Sequence, residues 1–284
     1  MSRATFILVT LSLVWLIVAQ GCMKMRSLDS TIAKDNAKDS VKLSFHNYEI
    51  RKHQVHTVQS GVGDKPTLFF IHGSPGSWGA FSTYLKDHDL AAKFQMVSVD
   101  RPGFGYSEFG HVLPFYEEAE ILADLLKKFQ NGHPIYVIGH SLGGPYTVQV
   151  AYLDSTIVTG IVLLAASVDP SQEQPEKWRK VFHQFPLRYL LPGAFRPSND
   201  ELLAFKEEVK QIPLALHQIN CNVVIVQGLK DPLVPPQNAF FAQQQLARAK
   251  SIKMVTFDQA NHFIPWTKFN EIKHELMLLP ISGL

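Results

Sequence analysis

The sequence predicts an α/β fold: a mostly parallel central sheet with helices on both faces and a small helical cap. Three observations predict it. From residue 67 onward, short apolar runs alternate with helical segments, the pattern of a parallel sheet covered on both sides. The runs at 67–71, 95–99 and 135–138 pass into His72-Gly73, Asp100-Arg101-Pro102-Gly103 and Gly139, as strands do that deliver loops to one sheet edge. One stretch, between about 168 and 220, interrupts the alternation with Trp178, Phe182, Phe185, Tyr189 and Phe195 among prolines 186, 192 and 197. A crossover needs one helix, so the surplus is expected to form a cap over the sheet.

Composition agrees with a globular α/β chain. Of 284 residues, 46% are apolar and 18% charged, which excludes wholesale disorder. Lys plus Arg is 27 against 25 Asp plus Glu, a net charge of +2, and this removes the electrostatic case for a nucleic-acid partner. Two cysteines, Cys22 and Cys221, allow at most one disulfide. Cys221 reads as a buried structural thiol.

Taken in order, the chain begins with Arg3 and an apolar run over 4–19. The order of basic start, apolar stretch and small residues describes a signal peptide over 1–21, and the run is shorter than the roughly 20 residues of an upright span. Ala19-Gln20-Gly21-Cys22 resembles the bacterial lipobox, which implies lipidation at Cys22 and an exported, membrane-anchored lipoprotein of a bacterial cell envelope. An uncleaved anchor helix and cleavage to a secreted form are the alternatives, and all three export the folded part. Residues 22–40 are polar and read as a tether, or as a short amphipathic helix. The domain is then expected over 41–284.

Residues 43–51 and 53–59 alternate as an antiparallel hairpin. Strands follow at 67–71, 95–99, 135–138, 157–164, 222–226 and 252–257, with helical segments at 77–94, 115–129, 143–153 and 263–279. In the cap, 199–218 reads as a helix with Asn199 or Asp200 as N-cap.

The chemistry is carried by Gly139-His140-Ser141-Leu142-Gly143. A bare G-x-S-x-G pattern is common, but here it joins an apolar strand directly to a helix, the setting of a nucleophile elbow. Ser141 needs a base and an oriented carboxylate. Of 12 histidines, His262 lies in the loop between the last strand and the last helix, at the elbow's sheet edge. His72 and His140 read as structural neighbours. His53 and His56, three apart on a strand, face opposite ways and make a poor metal pair. Asp231, in the loop after the strand at 222–226, is the leading acid. Asp169 is the runner-up, and Asp258 is too near His262 in the chain to face its ring. The order Ser141, Asp231, His262 is that of the α/β-hydrolase triad. The N–H groups of Leu142 and Ser74 are expected to hold an oxyanion, since Pro75 has no N–H.

The chain resembles the cap-bearing α/β-hydrolases. The matching pieces are His72-Gly73-Ser74-Pro75-Gly76, the stretch from Asp100 to Ser107, Gly139-His140-Ser141-Leu142-Gly143-Gly144, the stretch from Gly228 to Asp231, and Asn261-His262. The resemblance implies that Asp100 to Ser107 shapes the floor of the site. Epoxide hydrolases and haloalkane dehalogenases of this superfamily carry Asp at the elbow, so Ser141 argues against both. No phosphate loop, dinucleotide fingerprint, Cys-x-x-Cys or His-Glu-x-x-His occurs, and neither metal nor organic cofactor is expected. The expectation is a serine hydrolase acting on a small-molecule ester or related acyl substrate. A carbon–carbon or amide hydrolase with the same triad, or a non-catalytic binding protein of this fold, are the alternatives.

Overall fold

Eight strands form one sheet among the described residues of the computed structural model, which are 2–21, 23–26, 28–173 and 176–281. They are β1 (Ser44–Ile50), β2 (His53–Ser60), β3 (Thr67–Ile71), β4 (Gln95–Val99), β5 (Ile135–His140), β6 (Val158–Leu164), β7 (Asn222–Gly228) and β8 (Ser251–Phe257). The order is β1-β2-β4-β3-β5-β6-β7-β8. β1 pairs antiparallel with β2, and β2 with β4; every other pairing is parallel. Arg51 and Lys52 turn the first hairpin with φ of 51° and 70°, the twist a two-residue hairpin requires.

β3 and β5 are buried along their whole length, because helices cover both faces. Phe69 and Ile71 join Val137, Leu122 and Val148 in one core layer. Leu68 and Phe70 point the other way, into Tyr84, Ile138, Ile272 and Leu276. The strand order reverses around β3, with β4 on one side and β5 on the other. Loops leaving the carboxyl ends there diverge and open a crevice.

The segment expected to be helical over 77–94 breaks into a 3-10 turn Trp78–Phe81 and helices Ser82–Leu85 and His88–Lys93. Two caps impose the breaks: Ser77 Oγ accepts from Gly79 N–H (3.3 Å) and Asp87 Oδ1 from Leu90 N–H (3.0 Å). The last helix divides at Lys268 into Ile264–Thr267 and Phe269–Met277. A helix at Gln237–Gln245 has a sequence with little apolar period and was not expected.

The stretch between β6 and β7 holds helix Lys177–His183, a 3-10 turn Leu187–Leu190 and helix Phe195–Glu208, which runs on through Val209–Gln211 into Ile212–Gln218. Asn199 and Asp200 do not cap it. The helix starts four residues earlier, with Pro197 in its first turn, where a missing N–H costs nothing. Asn199 instead donates to Arg179 O (3.2 Å), and Asp200 binds Arg188 and His183 (2.8 Å each). These bonds join the cap helices to one another.

The cap is fastened to the sheet by buried charge. Arg101, wholly buried, grips Glu201 of helix Phe195–Glu208 with two bonds (2.6 and 3.1 Å) and Glu118 with a third (2.8 Å). Tyr146 OH donates to Glu118 (3.0 Å) and its ring lies under the guanidinium. Burial pushes the Glu118 carboxyl up, against the pull of Arg101.

Residues 23–26 and 28–40 are also fixed to the domain at several points. Helix Asp29–Asp35 sets Ile32 against the core, Arg26 donates to Gly105 O (3.0 Å), and buried Asn36 donates to Val41 O (3.1 Å). Asp29 meets His56 Nε2 (3.3 Å), whose Nδ1 bonds Asp100 (2.8 Å). Burial opposes a charge on His56, but the two carboxylates outweigh it and raise its pKa.

Arg101→Leu would leave Glu118 and Glu201 facing each other in the core. A loss of about 3–5 kcal/mol is expected in urea unfolding, and a loss below 1 kcal/mol would show the cap is held otherwise. For His56 the folded pKa is raised above the ordinary value of about 6.5. Its contribution is therefore complete below that value and is lost as pH rises through the raised pKa. The Tm advantage of the native protein over His56→Gln should be larger at about pH 6 than at about pH 9 by calorimetry.

Candidate active site

β5 delivers Ser141 at the carboxyl edge of the sheet, in the crevice beside β3. Its φ is +55°, the left-handed region that a residue with a Cβ rarely occupies and that costs on the order of 1–3 kcal/mol. The turn is gripped on three sides. Ser141 N–H donates to Leu164 O of β6 (3.0 Å), and its carbonyl accepts from Gly144 N–H (2.9 Å) and Ser167 N–H (3.2 Å). Helix Gly143–Leu153 follows at once and comes so close to the sheet that a Cβ on Gly143 would overlap Ile71 O.

The loop after β3 lies on the serine. A Cβ on Gly73 would stand 2.9 Å from Ser141 Cβ and 3.4 Å from its Oγ. His72 ties this loop down: Nδ1–H donates to Gly73 O (2.6 Å) and Nε2 accepts from Arg101 N–H (3.1 Å). Full burial, with the Arg101 charge nearby, holds its pKa well below the imidazole range, so the ring is neutral, and its two partners place the proton on Nδ1. Among the described residues, the N–H groups of Ser74 and Leu142 find no acceptor, and Ser74 Oγ is buried without a partner.

The structure brings Asp231 and His262 together. His262 Nδ1–H donates to Asp231 Oδ2 (2.7 Å), with both residues buried. Asp231 Oδ1 accepts from Leu233 N–H and Val234 N–H (2.8 Å each), which fixes the carboxylate in its loop. His262 Nε2 is thereby left as the acceptor. His140, next to Ser141, donates from Nε2 to His262 O (3.1 Å), and the two rings lie 4.7 Å apart. Burial, with His262 beside it, lowers the His140 pKa to about 3. His140 is therefore a neutral clamp that holds the His262 loop to the elbow. No hydrogen bond joins Ser141 Oγ to His262 among the described residues; such contacts often close only with substrate in place.

Asp169, the runner-up acid, accepts from Ser171 N–H (2.9 Å) and meets no histidine among the described residues. Asp258 is exposed. Cys22 lies outside the described residues. Cys221 is buried, and burial pushes its thiol up to about 11, so it stays protonated. No group of three or more His, Cys, Asp or Glu that could hold a metal occurs among the described residues.

Two features escaped the sequence reading. Asp100 is a hub: its carboxylate accepts from Trp78 N–H (2.7 Å), Tyr106 N–H (2.9 Å) and His56 Nδ1–H (2.8 Å). The other is the Arg101–Glu201 grip, whose partners stand a hundred residues apart.

Comparison with known proteins gives a consistent picture of the fold. A family model described as alpha/beta hydrolase fold matches residues 66–209. Over 105 residues, 36% of this chain, the sequence is 30% identical to epoxide hydrolase 1 of Caenorhabditis elegans; the match spans 26% of that protein. The fold is similar to that of 2-hydroxy-6-oxo-6-phenylhexa-2,4-dienoate hydrolase from Rhodococcus sp. strain RHA1, with a TM-score of 0.65, 19% identity, and 84% of this chain and 98% of that one covered. It is also similar to a bacterial membrane phospholipase A, with a TM-score of 0.61, 18% identity, and 87% and 89% of the two chains covered.

Proposed function

We propose that this chain, which belongs to the alpha/beta hydrolase fold family, is a serine hydrolase that cleaves a carboxylic ester or a related acyl bond. The observation that carries the reading is the left-handed Ser141 turn beside the 2.7 Å pair of Asp231 and His262. An aspartate at the elbow would make a nucleophile for epoxide opening, so Ser141 argues against that activity for this chain.

Ser141 Oγ attacks the acyl carbon as His262 Nε2 takes its proton. Asp231, held by two backbone N–H groups, keeps the imidazole in the required tautomer and stabilises the imidazolium. The oxyanion accepts hydrogen bonds from Leu142 N–H and Ser74 N–H, with the start of helix Gly143–Leu153 adding favourable potential. Collapse expels the alcohol, which carries the proton from His262. Water, deprotonated by His262, then attacks the acyl-enzyme and restores Ser141. A carbon–carbon or amide hydrolase would use the same residues on a different leaving group. A non-catalytic binding protein would have no need of the Asp231–His262 pair.

Anchoring at a membrane is part of the same reading. Helix Arg3–Gly21 is long and apolar enough to cross a membrane by length and composition, and Cys22 follows it as the proposed lipid attachment point. Either device would place the domain outside the cytoplasm on a membrane surface.

A fluorophosphonate probe should label the native protein and leave Ser141→Ala unlabelled, with turnover down roughly 10⁶-fold. Labelling that persists on the alanine variant would overturn the assignment. Asp231→Asn should lower kcat about 10⁴-fold with the fold retained, while Asp169→Asn stays near native. The reverse result would move the acid to the loop after β6.

A further inference from the structure

The apolar helix Arg3–Gly21 does not stand clear of the domain; its last turns are bonded to the cap. Trp15 Nε1–H donates to Leu190 O (3.1 Å) and Gln20 Nε2–H to Tyr189 O (2.8 Å). Gly193 N–H donates to Ala19 O (2.7 Å), and Ala194 N–H to Met23 O (2.9 Å). Leu16 and Gln20 close a groove of about 350 Å³ with Leu187, Tyr189 and Leu190. The earlier turns of the helix expose Phe6, Leu8 and Leu11.

The cap surface that continues from this contact is apolar too. Phe185 is 80% exposed, Val181 52% and Trp178 43%. Helix Lys177–His183 buries none of its residues. Its Lys177 and Lys180 meet no carboxylate among the described residues. Aromatic and aliphatic side chains beside unpaired lysines, continuous with a strongly apolar helix, form the pattern of a surface lying in the headgroup region of an anionic bilayer.

We infer that the chain keeps its N-terminal helix as an uncleaved anchor in an anionic phospholipid bilayer, that the cap face from 177 to 190 rests on that bilayer, and that the acyl substrate reaches Ser141 from the lipid. The delivery clause rests on the hydrolase reading; the docking does not. The chain that leads to the cap face starts beside Ser141. Ser167 donates its N–H to Ser141 O and its hydroxyl to Glu173, and helix Lys177–His183 begins just beyond. The bond from Ala194 to Met23 O holds the exit of the apolar helix against the cap, so insertion of the helix brings this face to the membrane.

The test uses the full-length chain in vesicles of phosphatidylcholine and phosphatidylglycerol brominated near the headgroup. In a Trp266→Phe background, which removes the other exposed tryptophan and leaves Trp78 buried, the protein should lose more tryptophan emission than when Trp178→Phe is added, where quenching of Trp15 reports helix insertion. The paired variant Val181→Asp, Phe185→Asp changes exposed positions only and should abolish the Trp178 component while that of Trp15 persists. Quenching of Trp15 with none of Trp178 would overturn the docking. The delivery clause is read from turnover of one ester chemistry, presented as a soluble short-chain ester and as a long-chain ester in vesicles. The paired variant should lose about tenfold on the vesicle ester and nothing on the soluble one; equal loss on both would overturn delivery. A native protein inert to both esters and to the fluorophosphonate probe would overturn the hydrolase reading, with the docking still decided by quenching.

Discussion

A serine held in a left-handed turn must be paid for by its neighbours, and around Ser141 the neighbours are the sheet itself. Its N–H is bonded to β6 and its carbonyl to the loop after β6 and to the following helix. That helix can start there only because Gly143 lets it settle on the end of β3. The elbow is thus not a local loop but a junction of three parallel strands. Full burial of β3 and β5 keeps those strands in register. If the sheet slipped by one residue, every side chain would change face and the turn would lose its partners.

The same economy governs the histidines. His72 and His140 stand next to Ser141, yet burial keeps both neutral. A second cation there would compete with protonated His262 for Asp231. Kept neutral, the two rings act as hydrogen-bonding struts, one holding the loop that carries Ser74 and the other the loop that carries His262. His262 differs in having a carboxylate on Nδ1, which is what the proposed role of a base that becomes charged requires.

What was legible in the sequence was what the chain encodes locally. The hairpin, the strands, the elbow and the loops bearing Asp231 and His262 each announce themselves within a few residues, through apolar runs and the turns that end them. Asp231 was preferred to Asp169 for its place in the loop after the strand at 222–226, at the elbow's sheet edge, and in the structure Asp231 is the one that faces His262. The failures were of another kind. The breaks at Asp87 and Lys268 depend on caps and packing that periodicity does not register. Asn199 has the composition of an N-cap, but its carboxamide is used by Arg179 across the cap. The Arg101 cluster joins residues from four distant segments, so no window of sequence contains it.

The cap itself has two halves with opposite physics. Helix Phe195–Glu208 is fixed by Glu201 in a buried charge cluster, and the helices after it pack Val209, Ile212 and Leu216 into the core. Helix Lys177–His183 and the turn Leu187–Leu190 bury no residue. An ion pair as deep as that of Arg101 gives little net stability over an apolar substitute, but breaking it is costly, so it locates one half of the cap firmly against the sheet. The other half is held by hydrogen bonds to Asn199 and Asp200 of the first half and to the N-terminal helix. A covering built this way has one half locked against the sheet and an outer face whose side chains are not committed to the core. The aromatic side chains of that outer face therefore add little to the stability of the fold.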